Sequence, residues 1–332
     1  MRNIINFLLI FLLFFLYGCA KFNHLTDVSS GTGKGPRSAD CGACHLDQYK
    51  EWQGSAHSLA YLSPSFRDAT ENYQDESCLP CHIPENIQAE PLTARMYNRE
   101  DGISCPSCHL HNGKMTGPEM SSALFSPHPI QEYPSFFRSS NMCGICHQNT
   151  FESWQQEAAT NKNVPSCQEC HQAMVTRKAT KGTNLFSNIL VAFEEDHHTR
   201  SHRITLSFME HFPDTAHLSI VSETKGQGSI DLVLDLANLL PHDLPAGAFG
   251  DKTLWLVISL LDKENQAIIV SENELCCREQ PLSPRETRRM SFRFNGVPRG
   301  LASLSKNQYK AELIREQPQS AKSLTLFSGY LP

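Results

Sequence analysis

The chain has 332 residues, which is long enough for two domains, and 40% of them are hydrophobic, so an apolar core is possible but not large. The formal net charge of -6 at pH 7 gives no electrostatic basis for nucleic-acid binding. The unusual counts are 13 Cys and 15 His, so these two residue types are the most informative about function.

The N-terminus is a predicted targeting segment. Arg2 precedes an apolar run, IINFLLIFLLFFLYG, which ends at Cys19. The run is shorter than the about 20 apolar residues of a membrane-spanning helix and fits a secretory signal peptide, residues 1–18. Residues 16–19, Leu-Tyr-Gly-Cys, resemble a bacterial lipobox, which implies cleavage before Cys19 and lipidation of its thiol. An ordinary signal peptide and an uncleaved anchor are the alternatives.

Residues 19–38 are predicted to form a lipidated flexible tether. The stretch VSSGTGKGPRS is rich in Gly and Ser and has little that could pack in a core. Ala20, rather than Asp, follows Cys19, which resembles an outer-membrane sorting signal. Several acyl chains would hold the protein stably at the membrane. We therefore expect an exported outer-membrane lipoprotein that faces the periplasm or the cell surface.

Five copies of Cys-x-x-Cys-His lie within residues 41–171. They are Cys41/Cys44/His45, Cys78/Cys81/His82, Cys105/Cys108/His109, Cys143/Cys146/His147 and Cys167/Cys170/His171. This motif is typical of covalent c-type haem, with thioether bonds to both cysteines and the histidine as proximal iron ligand. Zinc sites usually combine two Cys-x-x-Cys pairs, a thioredoxin-like site needs one, and disulfides need no histidine. The sequence therefore predicts five covalently bound haem c groups.

Residues 39–205 are predicted to form the pentahaem domain. So short a chain cannot surround five macrocycles separately, so the haems must touch and supply much of the core. Pro and Gly recur between the motifs. We therefore expect a mostly α-helical domain of short helices and long loops.

Distal iron ligands are expected among the ten histidines outside the motifs. Residues 46–60 are predicted to form a helix, with Tyr49, Trp52 and Ala56 close to one stripe. Along such a helix the interval from His45 to His57 is about 18 Å, too long for both to bind one iron. His57 is placed to cap a neighbouring haem. A solvated helix histidine is the alternative.

The pattern C-x-x-C-H…Y-x-x-W-x-x-S-x-H resembles the multihaem cytochrome family that includes hydroxylamine oxidoreductase and its tetrahaem acceptor cytochrome. The segments REDGISCPSCHLHNGKMTG, FFRSSNMCGICH, PSCQECHQAM and HHTRSHRI extend the resemblance over about residues 39–205. The resemblance implies that His57, His198 and His202 are distal ligands, with His197 as the alternative to His198. His128, which lies between motifs, is a fourth candidate.

The fifth distal ligand is left open by the sequence. His242 lies in LLPHDLPAG, which is similar to a loop often found after such haem domains, and a loop-stabilising role is its alternative. His111, His211 and His217 are further candidates, whereas His24 lies in the predicted tether.

Residues 206–332 are predicted to form an antiparallel β-sandwich-like domain. Ile230, Leu232, Leu234 and Leu236 alternate with polar residues, and TLWLVISLL, MSFRF, YKAELIRE and SLTLFSGY provide further strand patterns. Docking, capping of the haem domain and self-association are the expected roles. Cys276 and Cys277 lie outside every motif, and a vicinal disulfide, an intermolecular pair and free thiols are all compatible with the sequence.

Two functional classes follow from the motifs. Bis-histidine ligation leaves no iron position for substrate and favours electron transfer, at lower potentials than methionine ligation gives. A reductase or oxidase of a small nitrogen substrate would need one open iron position. A subunit of a polymeric cytochrome wire is a third reading. The uniform motifs and abundant histidines favour a membrane-anchored pentahaem cytochrome that exchanges electrons with other redox proteins of the cell envelope. Its oligomeric state is not indicated.

Overall fold

The computed structural model describes residues 35–119, 128, 130–181, 188, 191, 194–204, 216–247, 252–302, 308–316 and 324–331. The predicted signal peptide, Cys19, His24, most of the tether and His211 lie outside these residues. Within them, no helix has the length and apolar character needed to cross a membrane.

Two compact units make up the chain. Residues Met1–Met142 and Ser166–Thr205 form the first, and residues Cys143–Pro165 and Leu206–Pro332 form the second. The fourth Cys-x-x-Cys-His motif therefore groups with the C-terminal strands. The domain boundaries drawn from the sequence, 39–205 and 206–332, stay a prediction.

The helices are short. In chain order the described helices are α1 (Ser38–Gly42), α2 (Leu46–Gln53), α3 (Pro64–Ala69), α4 (Leu79–His82), α5 (Cys105–His109), α6 (Pro134–Phe137), α7 (Asn141–Gly144), α8 (Gln148–Thr160), α9 (Cys167–His171) and α10 (Arg299–Ala302). Two 3-10 turns lie at Glu76–Cys78 and Arg99–Asp101. Short helices agree with the prediction made from the Pro and Gly content between the motifs.

Helix α2 ends earlier than the sequence predicted. It stops at Gln53 with Gly54 as its C-cap, and the chain then runs through turns. The Ser55 hydroxyl donates to the Trp52 carbonyl at 2.7 Å, and the Ser58 hydroxyl donates to the Gln53 carbonyl at 3.0 Å. These side chains compete with the helical hydrogen bonds, and glycine is a poor helix former. The predicted helix over 46–60 is therefore wrong beyond residue 53.

Short strands in the first unit were not predicted. They are β1 (Leu110–His111), β2 (Lys114–Gly117), β3 (Ile130–Glu132), β4 (Met174–Arg177) and β5 (His197–Arg200). Strands β1 and β2 form a hairpin around Asn112 and Gly113, whose φ angles of 50° and 72° suit a type I′ turn. Strand β2 pairs with β3 in parallel, and β4 pairs with β5 in antiparallel register.

The second unit carries two antiparallel sheets. Its strands are β6 (Ala216–Lys225), β7 (Ser229–Asn238), β8 (Thr253–Leu261), β9 (Ala267–Cys277), β10 (Thr287–Asn295), β11 (Gln308–Arg315) and β12 (Leu324–Tyr330). The strand orders are β10-β7-β6 and β12-β11-β8-β9. The predicted C-terminal domain of antiparallel sheets is confirmed. The N-terminal region is helical, as expected for the haem domain, but the structure as a whole is not mostly helical, with 26% helix and 34% strand.

The main hydrophobic core lies in the second unit. Alternate residues of β7 and β8 are 0–1% exposed, and they are Ile230, Leu232, Leu234, Leu236, Leu254, Leu256, Ile258 and Leu260. Phe292 and Phe294 from β10 and Tyr309 from β11 pack into the same cluster. The opposite face of β7 carries Asp235, which binds Arg289 at 2.8 Å. This two-residue alternation confirms the apolar face predicted from the sequence for β7.

Candidate haem sites

Each Cys-x-x-Cys-His motif includes or adjoins a short helical turn. In the first and fourth motifs the backbone N–H of the histidine donates to the backbone carbonyl of the first cysteine. The distance is 2.9 Å from His45 to Cys41 and 3.0 Å from His147 to Cys143. The third and fifth motifs form α5 and α9. Residues i and i+3 of one turn share a face. The two cysteines of a motif are therefore presented together, directly before the histidine.

The second motif spans two adjoining helical elements. Cys78 ends the 3-10 turn Glu76–Cys78, whereas Cys81 lies in the next element, α4, directly before His82. Asp75 caps the 3-10 turn, and the Cys78 thiol donates to its Oδ2 at 3.7 Å. The five motifs are uniform in sequence, but the structure places Cys78 and Cys81 in two different elements. Both cysteines of a motif lie in one helix in the third and fifth motifs, α5 and α9.

The ten attachment cysteines are unbridged in the structure. Nine of them are half-buried and Cys170 is exposed, the nine being Cys41, Cys44, Cys78, Cys81, Cys105, Cys108, Cys143, Cys146 and Cys167. A disulfide within each motif was one alternative to haem, and the structure has no disulfide bond at any of the five pairs. The thioether bond predicted at Cys81, like those at the other nine positions, stays a prediction.

Serine caps start the helices of the third and fifth motifs. Ser104 and Ser166 precede α5 and α9, and their hydroxyls accept the N–H groups of Ser107 and Glu169 at 3.3 Å. The side chain of residue N3 also bonds back to the N-cap N–H in both cases, which completes a capping box. The helical start of each of these two motifs is thus encoded in the residues that surround its cysteines.

Three proximal histidines have a fixed ring orientation. Nδ1 of His45, His82 and His109 lies 2.7, 2.7 and 2.8 Å from the carbonyl oxygens of Ala179, Ala60 and Thr116. Metal-binding histidines commonly donate their second ring N–H to a carbonyl in this way. Nε2 of each ring is then the nitrogen left for iron. Burial lowers the pKa of His82 and of His109, which favours the neutral, ligating form.

His202 faces the proximal histidine of the third motif. The ring centroids of His109 and His202 are 6.1 Å apart, with an interplanar angle of 32°. Two imidazoles that bind one metal ion from opposite sides, at about 2.0–2.1 Å each, have centroids roughly 6 Å apart. Among the described residues, Nδ1 of His202 is buried and has no hydrogen-bond partner. Burial also lowers the pKa of His202 to about 4, so the ring is a neutral potential ligand.

The ring of His128 faces the motif histidine of the first motif, His45. The ring centroids of His45 and His128 are 6.1 Å apart, with an interplanar angle of 46°. Burial lowers the pKa of His128, with the charge of His45 as the next cause. The sequence had placed His128 among the distal candidates without assigning it to a haem. The spacing fits one iron held between these two rings.

A partly buried ion pair holds the backbone of His202. Glu51 accepts two bonds from the Arg177 guanidinium at 2.7 and 2.9 Å, and its Oε2 accepts the N–H of His202 at 2.8 Å. Burial opposes ionisation of Glu51, but these bonds outweigh it and lower its pKa. Bidentate Arg–carboxylate pairs are geometrically specific. The sequence analysis missed this clamp, because Glu51 and Arg177 are 126 residues apart.

The attachment cysteines of the first and third motifs lie together. The thiols of Cys41 and Cys105 are in hydrogen-bond contact, which raises the pKa of Cys41 and lowers that of Cys105. The Cys105 N–H also donates to the Ser38 hydroxyl at 3.2 Å. With haem bound as the motifs predict, these two sulfurs would be thioether positions of two different haems. The two attachment points are therefore adjacent in the fold.

The first and fourth motifs share a local module that the sequence analysis missed. Glycine follows the first cysteine in both, and an added Cβ would lie 2.5 Å from the Tyr49 ring at Gly42 and 2.6 Å from the Phe151 ring at Gly144. A tryptophan three residues past each ring stacks on it, at 5.6 Å for Trp52 and 5.7 Å for Trp154. The repeated pattern C-G-x-C-H-x-x-x-[Y/F]-x-x-W is the signal that could have revealed this module.

The repeat extends to a later motif in each case, from the first motif to the third and from the fourth motif to the fifth. The indole N–H of Trp52 donates to the Ile103 carbonyl at 2.7 Å, and that of Trp154 donates to the Pro165 carbonyl at 2.9 Å. Ile103 and Pro165 each lie two residues before a motif, the third and the fifth. Ser140, three residues before the fourth motif, accepts the Cys167 N–H at 3.0 Å, as Ser38 does for Cys105. The same contacts thus occur twice.

His242 lies in a loop that packs on α8 within the second unit. The Ser153 hydroxyl accepts the Asp243 N–H at 3.0 Å and donates to its Oδ1 at 3.1 Å. Nδ1 of His242 lies 2.9 Å from the Asp243 carbonyl oxygen, and burial lowers the pKa of His242. Ser153 follows His147 by six residues, as Glu51 follows His45. The fourth motif and His242 therefore belong to one compact unit.

The remaining candidates for distal iron ligands lie in different local environments. His57 is half-buried in a turn, and its carbonyl accepts the Ile103 N–H at 3.0 Å. His198 is exposed on β5, with Nδ1 2.9 Å from the Thr176 hydroxyl, whereas His197 is half-buried. Both ring nitrogens of His111 lie 3.0 Å from amide groups, those of Asn86 and Asn112. The distal roles of His57 and His198 stay predictions.

Cys276 and Cys277 are unbridged in the structure. Cys276 is buried, and its Sγ lies 3.1 Å from the Leu244 carbonyl oxygen. Burial raises the pKa of Cys276 to about 12, which keeps the thiol protonated. It therefore behaves as a core residue.

The chain is similar to known multihaem proteins in both sequence and structure. Residues 40–110 match the family model described as cytochrome c554 and c-prime. The chain is similar to a penta-heme cytochrome c552 from Thermochromatium tepidum, with a TM-score of 0.57 and 15% identity over 89% of this chain and 98% of that one. The motifs and these matches support a multihaem c-type cytochrome.

A second solved structure resembles only part of this cytochrome. It is a glycosyl hydrolase family 2 member from Bacteroides cellulosilyticus DSM 14838, with a TM-score of 0.21 and 14% identity over 35% of this chain and 14% of that one. So low a score carries no functional argument. No curated protein matches the chain. Covalently bound haem c is therefore supported by the motifs and the family match, while the number of haems is only suggested by the penta-heme neighbour.

Proposed function

We propose that this cytochrome is a membrane-anchored pentahaem protein that transfers electrons between redox partners of the cell envelope. The pairing of proximal and distal imidazoles, His45 with His128 and His109 with His202, carries the proposal. Haem iron supplies a one-electron couple, and ligation from both faces leaves no position for substrate. Exchange of electrons is the chemistry that then remains.

The chain provides the ligands for five such sites. The five motif histidines are the proximal ligands, and the proposed distal ligands are His57, His128, His198, His202 and His242. The contact between Cys41 and Cys105 supports a close approach of the first and third haems. Two haems this close can exchange electrons directly, without a diffusing carrier between them.

The haem content is tested by intact mass. Each motif keeps both cysteines and its histidine, so the denatured, processed protein should exceed the mass of its polypeptide by five haems. Protein should be produced in a host that matures c-type cytochromes. Alkylation of free thiols before the measurement is the control, because only Cys276 and Cys277 should react in the chain beyond Cys19. A mass of four haems or fewer would contradict the pentahaem proposal.

The electron-transfer role is tested by the spin states of the wild-type haems. All five should be low-spin in the oxidised protein, since two imidazoles form a strong ligand field. A substoichiometric high-spin signal that grows on ageing would report damage, so fresh protein is the reference. One full equivalent of high-spin haem in fresh protein would favour the alternative, a reductase or oxidase with one open iron.

Membrane attachment is proposed to depend on Cys19. Replacing Cys19 with serine removes the thiol that would carry the lipid, so the protein should move from the membrane fraction to the soluble fraction. Because the acyl chains on Cys19 are the proposed anchor, their complete loss should release nearly all of the processed protein. Cys277→Ser is the matched control and should stay membrane-bound. Normal processing and sedimentation of Cys19→Ser would overturn the lipoprotein assignment.

A further inference from the structure

The segment that follows strand β4 is bound to the first motif and to helix α2. The N–H of Lys181 donates to the Cys44 carbonyl at 2.8 Å. The Ala179 carbonyl oxygen accepts from the side chain of Gln48 at 2.9 Å and lies 2.7 Å from Nδ1 of His45. These contacts fix the C-terminal end of β4 beside α2.

Glu51 and Arg177 are the acid and the base at the place where α2 meets β4. The Arg177 guanidinium donates to both carboxylate oxygens of Glu51, at 2.7 and 2.9 Å. Only 14% of the Arg177 side chain and 19% of the Glu51 side chain are exposed. Among the described residues, Nε of Arg177 is buried and has no hydrogen-bond partner. Water therefore compensates these two charges poorly, and each one depends on the other.

The same carboxylate reaches the distal ligand proposed for the third motif. Oε2 of Glu51 accepts the N–H of His202 at 2.8 Å, and the ring of His202 faces that of His109 at a centroid distance of 6.1 Å. Burial is the main cause of the lowered pKa of His202; among the further causes, the charge of Arg177 lowers this pKa and that of Glu51 raises it. Both charges therefore act on the ring that would bind iron.

We propose that Glu51 and Arg177 form a charge pair that positions His202 and sets the reduction potential of the haem at the third motif. Glu51 is a positioning residue, because it acts on the iron through the backbone of His202. A nearby negative charge stabilises ferric iron and a positive one stabilises ferrous iron, so the intact pair keeps the two effects balanced. The inference rests on the proposed ligation of this iron by His109 and His202.

Redox titration of the holoprotein tests the charges. Glu51→Gln leaves the charge of Arg177 uncompensated, so one of the five potentials should rise. Arg177→Met leaves the carboxylate uncompensated, so the same potential should fall. The titration is done at about pH 8, well above the ordinary carboxyl pKa. The double variant removes both charges and should return close to the wild type. His202→Ala identifies the haem concerned, because it should change the same potential.

Electron paramagnetic resonance of the oxidised protein tests the positioning. The amide oxygen of Glu51→Gln can still accept the N–H of His202, so the low-spin signal of the third haem should match the wild type. Glu51→Ala removes the acceptor as well, so that signal should change as the ring of His202 reorients. A wild-type signal from Glu51→Ala would show that Glu51 does not position His202.

The matched control is Asp47→Asn, which removes one negative charge from the same helix. Asp47 lies 3.2 Å from Lys181, and their side chains are 37% and 59% exposed. Solvent screens such a pair, so the potential of the third haem should not change. Arg177→Lys keeps the positive charge and should keep this potential near that of the wild type.

The sign of the shifts separates the possible outcomes. If Glu51→Gln and Arg177→Met both raise the potential and produce a high-spin signal, the pair only holds the backbone and the electrostatic assignment is wrong. Unchanged potentials in both variants would also overturn it. Intact mass and spin state are measured on the wild type first. Fewer than five haems, or a high-spin third haem, would contradict the proposed function instead.

Discussion

Replacing His202 with alanine is expected to convert one haem of the cytochrome from low-spin to high-spin. His202 faces His109 at a ring-centroid distance of 6.1 Å, and its backbone is held by Glu51. The substitution removes one of two strong-field imidazoles and leaves water or an empty position. The potential of that haem should rise, because imidazole donation to ferric iron is lost. Electron paramagnetic resonance of the oxidised protein should show one high-spin haem and four low-spin haems.

Two further variants belong to this experiment. One is a control at an exposed histidine, and the other tests whether the effects of His202→Ala and His128→Ala add. His217 is exposed on β6, so His217→Ala should leave the spectrum of the wild type. His128→Ala should affect a different haem, the one attached at Cys41 and Cys44, and the double variant with His202→Ala should show two high-spin haems. Covalent haem content should not change, because neither residue lies in a motif. A low-spin spectrum from His202→Ala would assign this iron to another ligand.

Replacing Arg95 with methionine is expected to destabilise the first unit severely. Arg95 is 3% exposed, and its five N–H groups face six acceptors at 2.9–3.1 Å, which are the hydroxyls of Ser104 and Ser107 and the carbonyls of Pro84, Tyr97, Asn98 and Gly102. Methionine fills much of the volume but removes the guanidinium from all six acceptors, and among the described residues the carbonyls of Tyr97 and Gly102 then have no donor. Each such acceptor costs about 1–3 kcal/mol when no relaxation occurs, so a loss of about 3–5 kcal/mol in the free energy of unfolding is expected.

Urea denaturation of the holoprotein measures this effect. The matched control is Arg67→Met, since Arg67 is exposed and lies 3.6 Å from Asp68, an exposed pair of small energetic value. Its transition midpoint should stay near that of the wild type. Equal midpoints for Arg95→Met and wild type would show that the loop from residue 95 to residue 104 is held by other contacts.

The features that could be predicted from the sequence are those that depend on residues close together along the chain. The five motifs and the apolar face of β7 depend on neighbours along the chain, and both could be identified from spacing and alternation. The Asn112–Gly113 hairpin was also visible as a strong turn signal, but it was overlooked beside the haem motif. The end of α2 was misjudged because its stripe of Tyr49, Trp52 and Ala56 outweighed Gly54 and the serines after it.

Distal ligation is a different kind of problem. His109 and His202 are 93 residues apart, and no periodicity connects them. The sequence could name His128, His198, His202 and His242 only as candidates, and the resemblance could not say which proximal histidine each one faces. The Glu51–Arg177 clamp and the Arg95 hydrogen bonds are likewise products of the folded chain. They join segments whose local sequences give no sign of the contact.

The hydrogen bond from His45 to Ala179 bears on how the protein matures. The two residues are 134 positions apart, on either side of the other four motifs. A chain exported from its N-terminus presents Cys41 and Cys44 long before Ala179 has crossed the membrane. The ring of His45 therefore has no fixed orientation when its cysteines first become accessible. For a chain exported from its N-terminus, as the predicted signal peptide implies, attachment at Cys41 and Cys44 before Ala179 arrives would leave the His45 ring to be oriented afterwards, when the segment after the fifth motif packs against the first motif.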